Sequence, residues 1–317
     1  MRRLQFGLLS IGLPLFVVCL ALSGCKKVDE PENSHFWADL QGSSKAATAV
    51  AKTPISMGKG VIQGKVVWKG AKPDLPKLDK DMLATLGSKD PKVCLSPECS
   101  KDEKDQQIYR IGTNDTVGHV VVWLTPTDKN SYFAFTDDDL KALNLKPVKE
   151  FDQPHCAFIP HVDWAFTHYL APDLKNPRKM NPSGQVVKVR NNATISHNTK
   201  WADTGKIRLG NVLLPPGGEP ITLPLVPETR PLRIECSIHA WMDAFVWDFD
   251  HPYADVSKCD GLEANADKYG TFEIKNVPTG VKLKITAWHE EGQVAGGGEI
   301  EVTEGEPLIH NFEISKK

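Results

Sequence analysis

The sequence predicts an all-β protein, and three observations support this class. Proline and glycine are frequent, with 23 and 24 of the 317 residues. Few stretches show the helical spacing of apolar residues. Several short apolar segments are instead separated by turn sequences such as "LPPGGE". Short strands divided by turns of this kind are typical of β-sandwiches and barrels.

Composition limits the classes of function that the chain can perform. Apolar residues make up 40% of the sequence, so a packed core is expected, and the length is enough for two domains. The formal net charge of −2 provides no basic surface for nucleic acid. We find no P-loop, dinucleotide fingerprint, nucleophile elbow or zinc-protease helix in the sequence. We therefore expect no nucleic-acid partner and no enzymatic activity.

The N-terminus has the pattern of a targeting segment over residues 1–24. Arg2 and Arg3 precede an apolar run from Phe6 to Leu22, and the run ends in "LSGC" at Cys25. The small residues before this cysteine resemble a bacterial lipoprotein signal. That resemblance implies cleavage before Cys25, lipidation of Cys25, and a protein anchored to a membrane of the bacterial cell envelope, on its periplasmic or cell-surface side. The alternatives are a plain signal peptide and a single membrane anchor.

Residues 25–59 are polar and weakly patterned, as expected for a flexible tether. Strand-like alternation begins at Gly60 with "GVIQGKVVWKG", and "HVVVWL" follows as a short buried strand. The charged stretch between them, "KDPKVCLSPECSKDEKD", is predicted to be mostly loop. The best candidate for a short helix is Asp137–Leu145, because its acidic residues suit a helix N-terminus. We assign residues 60–150 to one β-rich region.

Residues 151–250 form a second strand-rich region, with "CAFIPHVDWAF", "GQVVKVRNN", "KIRLGNVLL", "EPITLPLV", "RPLRIEC" and "DAFVWDF" as its segments. In the last region, residues 251–317, "GTFEIKNVPTGVKLKITAW" resembles the final strands of carboxypeptidase-regulatory-like, transthyretin-like sandwiches. The earlier "IQGKVVWKG" resembles their first strand. This resemblance implies that residues 60–150 and 251–317 share one outer β-sandwich, into which the middle region is inserted.

The stretch "RIECSIHAWMD" places Cys236, His239 and Met242 at intervals of three residues. A copper electron-transfer site needs one thiolate and two imidazoles in a plane, with a weak thioether on the axis. His197, which directly follows the strand-like "VKVRNN" and a short turn, can supply the second imidazole. The alternative is that these residues are buried core. Zinc suits the set less well, because methionine is a poor zinc ligand.

The segments "SHN" and "CSIHAWM" resemble the copper motif of the cupredoxins, the family of plastocyanin and amicyanin. The resemblance implies a Greek-key β-sandwich with one type 1 copper, held by His197, Cys236, His239 and Met242. It also implies that Asn198 stiffens the cysteine loop by hydrogen bonding. The implied function is one-electron transfer with a redox partner such as a cytochrome c or a dehydrogenase. A copper storage or delivery protein, and a structural lipoprotein with a vestigial site, are the alternatives.

In a sandwich of this kind we expect His197 to be buried and His239 to reach the surface. Ala240 and Trp241 would then surround the exposed imidazole edge and form an apolar docking patch. The alternative is that Trp241 packs inward beside Met242. Two further motifs contain histidine, "HCAFIPH" and "WHEEG". We interpret them as structural or surface segments rather than as accessory metal sites.

Five cysteines remain after Cys19 and Cys25, and an odd number leaves one unpaired. Export favours disulfides, because they persist in an oxidising compartment. If Cys236 binds metal, the other four cysteines can form two disulfides in three ways. We prefer Cys99–Cys259 together with Cys94–Cys156, because Cys99 and Cys259 both lie in polar loops.

Overall fold

The computed structural model describes residues 52–173, 180–202 and 209–317. The expected signal peptide, Cys25 and most of the expected tether lie outside these residues. The described part contains helices α1 (Leu75–Leu86), α2 (Pro91–Cys94), α3 (Lys101–Lys104) and α4 (Asp137–Leu143). Among the described residues, none of the helices has the length and apolar character needed to span a bilayer.

The strands follow one another in three groups along the chain. The first group is β1 (Thr53–Ile55), β2 (Gly60–Trp68), β3 (Val121–Pro126), β4 (Ser131–Phe133) and β5 (Val148–Gln153). The middle group is β6 (Val162–Ala165), β7 (His168–Tyr169), β8 (Asn181–Pro182), β9 (Val186–Asn191), β10 (His197–Ala202), β11 (Leu209–Leu214), β12 (Ile221–Thr222), β13 (Leu232–Glu235) and β14 (Asp243–Asp248). The last group is β15 (Ala254–Val256), β16 (Thr271–Val277), β17 (Lys282–Trp288), β18 (Gly292–Ala295), β19 (Gly298–Glu301), β20 (Leu308–Ile309) and β21 (Phe312–Lys316).

The first and last groups share two sheets, which confirms the predicted all-β class and the outer sandwich built from both ends of the chain. One sheet has the order β15-β3-β17-β19, and the other has the order β16-β2-β21-β18, with β20 also paired to β2. Strand β2 pairs antiparallel with β16 and parallel with β21, so residues more than 200 positions apart are neighbours. The apolar core between these sheets includes Ile62, Val122, Phe272, Leu283 and Phe312.

Most strands of the middle group, together with β5 from the first group, form two further sheets, with the orders β11-β10-β13-β14-β6 and β12-β9-β5, while β7 pairs with β8. Their facing side chains make a separate core. Phe151 and Val189 come from the smaller sheet, and Ile234 and Val246 come from the larger one. Alternate residues of β9 and β13 point into this core, as expected for strands with one buried face. This core surrounds the region in which Cys236 and Met242 lie.

Strand β14 is buried on both faces and joins the two sandwiches. Val246 packs into the middle core, whereas Phe245 and Trp247 pack with Val121 against the outer sandwich. The Trp247 ring lies 4.8 Å from the Trp123 ring, measured between centroids. A strand that is covered on both sides needs apolar residues at successive positions. This explains why "DAFVWDF" reads as a continuous run rather than as an alternation.

The structure differs from the sequence-based expectation in the segment between β2 and β3. A helix of 12 residues, α1, was not predicted; it begins after Asp74, whose side chain accepts from the Lys77 amide. Two single-turn helices, α2 and α3, also replace part of the expected loop. Residues 53–55 of the expected tether form β1 and pair in parallel with β4. The predicted helix near Asp137 is confirmed as α4 and begins with a capping box.

His251 gives the folded state a pH dependence that can be measured. Burial lowers the pKa of His251 from its usual 6.5 to about 4, although Asp250 and the backbone of Leu124 oppose the shift. Between these two values the unfolded chain binds a proton at this residue and the folded chain does not. Stability is therefore present above pH 6.5 and falls as the pH drops towards 4, by at most about 1.4 kcal/mol per pH unit from this group.

Urea unfolding between pH 7.5 and 4.5 tests this contribution. The slope of the unfolding free energy against pH should be smaller in the His251→Gln variant than in the wild type. The difference should be at most the slope that one bound proton produces. Equal slopes for the two proteins would show that His251 does not carry the effect.

Candidate metal centre

Three strands place the four predicted ligand residues. His197 begins β10, Cys236 directly follows β13, and His239 and Met242 lie in the turn before β14. Strands β10 and β13 pair antiparallel, which brings His197 beside Cys236. Two hydrogen bonds close the turn: the Cys236 amide donates to the Met242 carbonyl at 3.0 Å, and the Met242 amide donates to the His239 carbonyl at 2.9 Å.

The donor atoms of three of these residues converge. His197 Nδ1 lies 3.1 Å from His239 Nδ1 and 3.8 Å from Cys236 Sγ. All three donor atoms lie within 4.8 Å of one another, and all three residues are buried. Nitrogen and sulfur atoms bound to one metal ion at about 2.0–2.3 Å are separated by distances of this size. Met242 is buried in the same turn, with 2% of its surface exposed.

Burial favours the neutral form of both imidazoles, and the hydrogen bonds show where the lone pair of His239 points. Burial lowers the pKa of His197 to about 4, with a further contribution from His239. Burial also lowers the pKa of His239, against the opposing effect of Asp90. His239 Nε2 lies 2.9 Å from Asp90 Oδ2, and a carboxylate only accepts, so neutral His239 carries its proton on Nε2. The lone pair on His239 Nδ1 therefore points at His197 Nδ1, where a proton or a cation must lie between them.

Asn198 stiffens the cysteine turn by hydrogen bonding, the role that the resemblance implies for it. Its Oδ1 accepts hydrogen bonds from the amides of Ser237 at 2.7 Å and Ile238 at 3.2 Å. The Cys236 thiol also donates to this oxygen at 3.4 Å. The Asn198 amide nitrogen donates to Asn211 on the neighbouring strand at 2.6 Å. One side chain thus orients three groups on the turn that carries the candidate ligands.

The expectation that His239 reaches the surface is wrong. Its side chain is 0% exposed, because Asp90 at the start of α2 covers its Nε2 edge. The neighbouring Lys89 donates to the Ile238 carbonyl at 2.8 Å and holds this cover on the turn. Sequence reasoning missed the cover, because it lies 149 residues from His239 in a stretch that was expected to be loop.

Trp241 also differs from the role expected for it. It is half-buried, its ring lies edge-on to the His239 ring at 5.1 Å, and its Nε1 donates to the Cys156 carbonyl at 3.0 Å. Of the residues expected to form an apolar patch around an exposed imidazole, Ala240 is the one that is exposed.

The preferred disulfide pairing is half right. Cys94 and Cys156 form a disulfide that links α2 to the turn before β6. Cys99 and Cys259 are both buried and free, so the predicted Cys99–Cys259 pair is wrong. The Cys99 thiol donates to the Val93 carbonyl at 3.3 Å, and the Cys259 thiol lies 3.8 Å from Asp260. The sequence predicted one unpaired cysteine, Cys236, and two disulfides. The described residues contain one disulfide and three unpaired cysteines.

The histidines of the two remaining motifs are largely buried. His155 Nδ1 lies 2.7 Å from Glu103, and His161 Nε2 lies 3.0 Å from Glu290. His289 is 2% exposed, and its Nδ1 accepts from the Gly292 amide at 2.8 Å. The structure thus brings "HCAFIPH" and "WHEEG" together, through His161 and Glu290.

Comparisons with known proteins give little further information. No family model and no curated protein matches this chain. A solved structure of a reduced amicyanin mutant aligns with 40% of this chain and 98% of its own, at 13% identity and a TM-score of 0.23. A TM-score of this size does not establish a shared fold.

Proposed function

We propose that this chain binds one copper ion at His197, Cys236 and His239, and that Met242 would supply a weak fourth ligand. We further propose that it transfers single electrons between redox proteins such as a cytochrome c or a dehydrogenase. In this proposal Cys25 carries the lipid that anchors the protein in the bacterial cell envelope. The chain acts as an electron carrier and not as an enzyme.

One observation carries the proposal: one donor atom each from two buried imidazoles and one buried thiol lie within 4.8 Å of one another. Two imidazoles and a cysteine sulfur, with a thioether nearby, are the donor set of blue copper sites. The ring of His239 is oriented by Asp90, in the way that a carboxylate commonly orients a metal-bound histidine. The sulfur is oriented by Asn198, which bonds to the thiol and to the two following amides.

The protein surroundings favour electron transfer over substrate chemistry. Bound copper would supply a one-electron couple. The turn is held at both ends by backbone hydrogen bonds and in the middle by Asn198, so the donor atoms have little freedom to move. All four ligand residues are 2% exposed or less, which leaves no path for a substrate to reach the centre directly.

The cover over His239 favours retention of the metal rather than its delivery. Asp90 and the disulfide-linked α2 must move before another protein can reach the His239 side chain. Transfer of an electron needs only a surface group in contact with the ligands, whereas transfer of a metal ion needs access to them. Asp90 is such a group, because it contacts His239 directly and its side chain is 43% exposed. We therefore place the partner's approach at the face that carries Asp90 and Ala240.

Addition of Cu(II) to the full chain should produce an intense visible absorption band from the Cys236 thiolate. The Cys236→Ser variant should lack the band, and Met242→Leu should keep it with a shifted reduction potential. Ascorbate should bleach the band and an oxidant should restore it. A mild chelator should remove the copper only slowly; rapid loss would favour the delivery function instead.

Cys99→Ser and Cys259→Ser are the matched controls, because each removes a buried free thiol elsewhere in the chain. Both variants should keep the band. A band that survives Cys236→Ser and disappears in either control would place the copper at another site and overturn the proposal.

A further inference from the structure

A second group of potential metal ligands lies outside the centre described above. His161 precedes β6, Asp243 begins β14, and Glu290 lies in the turn between β17 and β18. The parallel pairing of β6 with β14 aligns the first two segments, and the Phe245 amide donates to the His161 carbonyl at 2.9 Å. The middle sandwich and the outer sandwich both contribute to this group.

The donor atoms of the three residues are close enough to share one ion. One nitrogen of His161 and one carboxylate oxygen each from Asp243 and Glu290 lie within 4.8 Å of one another. His161 Nε2 is 3.0 Å from Glu290 Oε2. His161 is 2% exposed, and its ring packs edge-on against Phe245 at 5.8 Å. The imidazole is therefore held in one orientation, as a metal ligand must be.

The hydrogen bonds of His161 point to a cation at its Nε2 atom. His161 Nδ1 lies 3.0 Å from the backbone carbonyl of Asp243, and a carbonyl only accepts, so Nδ1 carries a proton. In the neutral ring, the Nε2 lone pair then faces the Glu290 carboxylate at hydrogen-bond distance. Two acceptors at this separation require a proton or a metal ion between them.

The charge and exposure of Asp243 and Glu290 permit a divalent ion to bind. Arg233 donates to Asp243 Oδ2 from two of its nitrogens, at 3.1 and 2.6 Å. The second oxygen of Asp243 is not used by Arg233. The side chains of Asp243 and Glu290 are 20% and 15% exposed, so an ion can reach them from solvent. The two carboxylates together carry the charge that balances a divalent cation, and Arg233 offsets one of them through Asp243 Oδ2.

We infer that His161, Asp243 and Glu290 form a binding site for a divalent first-row transition ion such as zinc. Imidazole and carboxylate ligands suit this class of ion. The site is distinct from the thiolate centre but adjacent to it: Asp243 follows Met242 in the chain. A cavity of about 80 Å³ is lined by Met242, His161 and Asp243 together.

Zinc binding to the full chain tests the site by isothermal titration in a Cys236→Ser background, in which the thiolate centre is disabled. Glu290→Gln in that background should bind one zinc ion fewer, or bind it at least about 10-fold more weakly. His161→Gln should have the same effect. The control is Glu291→Gln, which removes the same charge from the neighbouring exposed residue and should bind zinc like the background.

Two other groups, Cys99–Glu103–His155 and His119–Cys259–Asp260, can hold zinc in all these proteins. Because the His119 ring lies 5.3 Å from the His161 ring, the comparison of Glu290→Gln with Glu291→Gln carries the test. Cobalt provides a second readout. The spectrum of the cobalt-loaded background minus that of Glu290→Gln reports the cobalt at the proposed site. This difference should show no sulfur-to-cobalt charge-transfer band, because the proposed site has no thiolate.

Far-ultraviolet circular dichroism checks folding, and if His161→Gln does not fold, Glu290→Gln decides the result. Equal zinc binding by Glu290→Gln and the background would mean that His161 and Glu290 form only a proton-mediated pair, and would overturn the inference.

Discussion

Replacing both Cys94 and Cys156 by alanine is expected to lower the free energy of unfolding by about 4 kcal/mol. The disulfide joins residues 62 positions apart, and a cross-link of that length removes much of the conformational entropy of the unfolded chain. Both cysteines are buried in the middle core, so loss of their packing adds to the effect. Urea unfolding of the two proteins measures the difference.

The matched control is the double variant Cys99→Ala and Cys259→Ala. It removes two buried thiols without breaking a cross-link, so it isolates the packing contribution. We expect it to cost clearly less than the loss of the disulfide. Similar losses in both double variants would show that the cross-link itself contributes little.

Asn198→Ala is expected to destabilise the protein by about 3 kcal/mol, because it leaves two amides and one thiol without their acceptor. The effect should be concentrated in the ligand turn. Hydrogen exchange at the Ser237 amide should accelerate by more than the change in global stability explains. This measurement separates a loosened turn from a general loss of stability.

Asn211→Ala is the control for this prediction. Asn211 accepts from the Asn198 amide nitrogen but is exposed and makes none of the bonds to the turn. We expect it to cost well under about 1 kcal/mol, as is usual for a surface substitution. If the two alanine variants are equally stable and exchange equally at Ser237, Asn198 does not hold the turn.

Patterns within a few residues of the sequence predicted those strands, helices and turns that depend on residues close to one another in the chain. Strand β2 follows from the alternation in "GVIQGKVVWKG", and α4 follows from the acidic residues that begin it. The spacing of Cys236, His239 and Met242 placed them on one turn before any contact was known. Asn198 was assigned its role through resemblance, and its hydrogen bonds to that turn agree with the assignment.

Longer-range features were not predictable in the same way. Helix α1 was missed, because its charged residues and Pro76 resemble a loop when read one position at a time. Cys94 was correctly paired with Cys156, but Cys99 and Cys259 were paired on the similarity of their loops alone. The structure instead buries each of these two thiols against different neighbours.

By itself, the sequence determined the all-β class, the positions of the strands with clear alternation or apolar runs, such as β2, β9 and β14, and the turn that carries three of the four candidate ligands. These features depend on side-chain alternation and on spacing within a few residues, which act through local backbone geometry. The tertiary structure alone decided that Asp90 covers His239 and that His161 meets Glu290, and it showed that Cys94–Cys156 is the half of the preferred disulfide pairing that forms. Each of these contacts joins residues 62 to 149 positions apart. Their proximity is set by the order of strands in the sheets and by the packing of β14 between two cores. Neither of these produces a periodic pattern in the sequence.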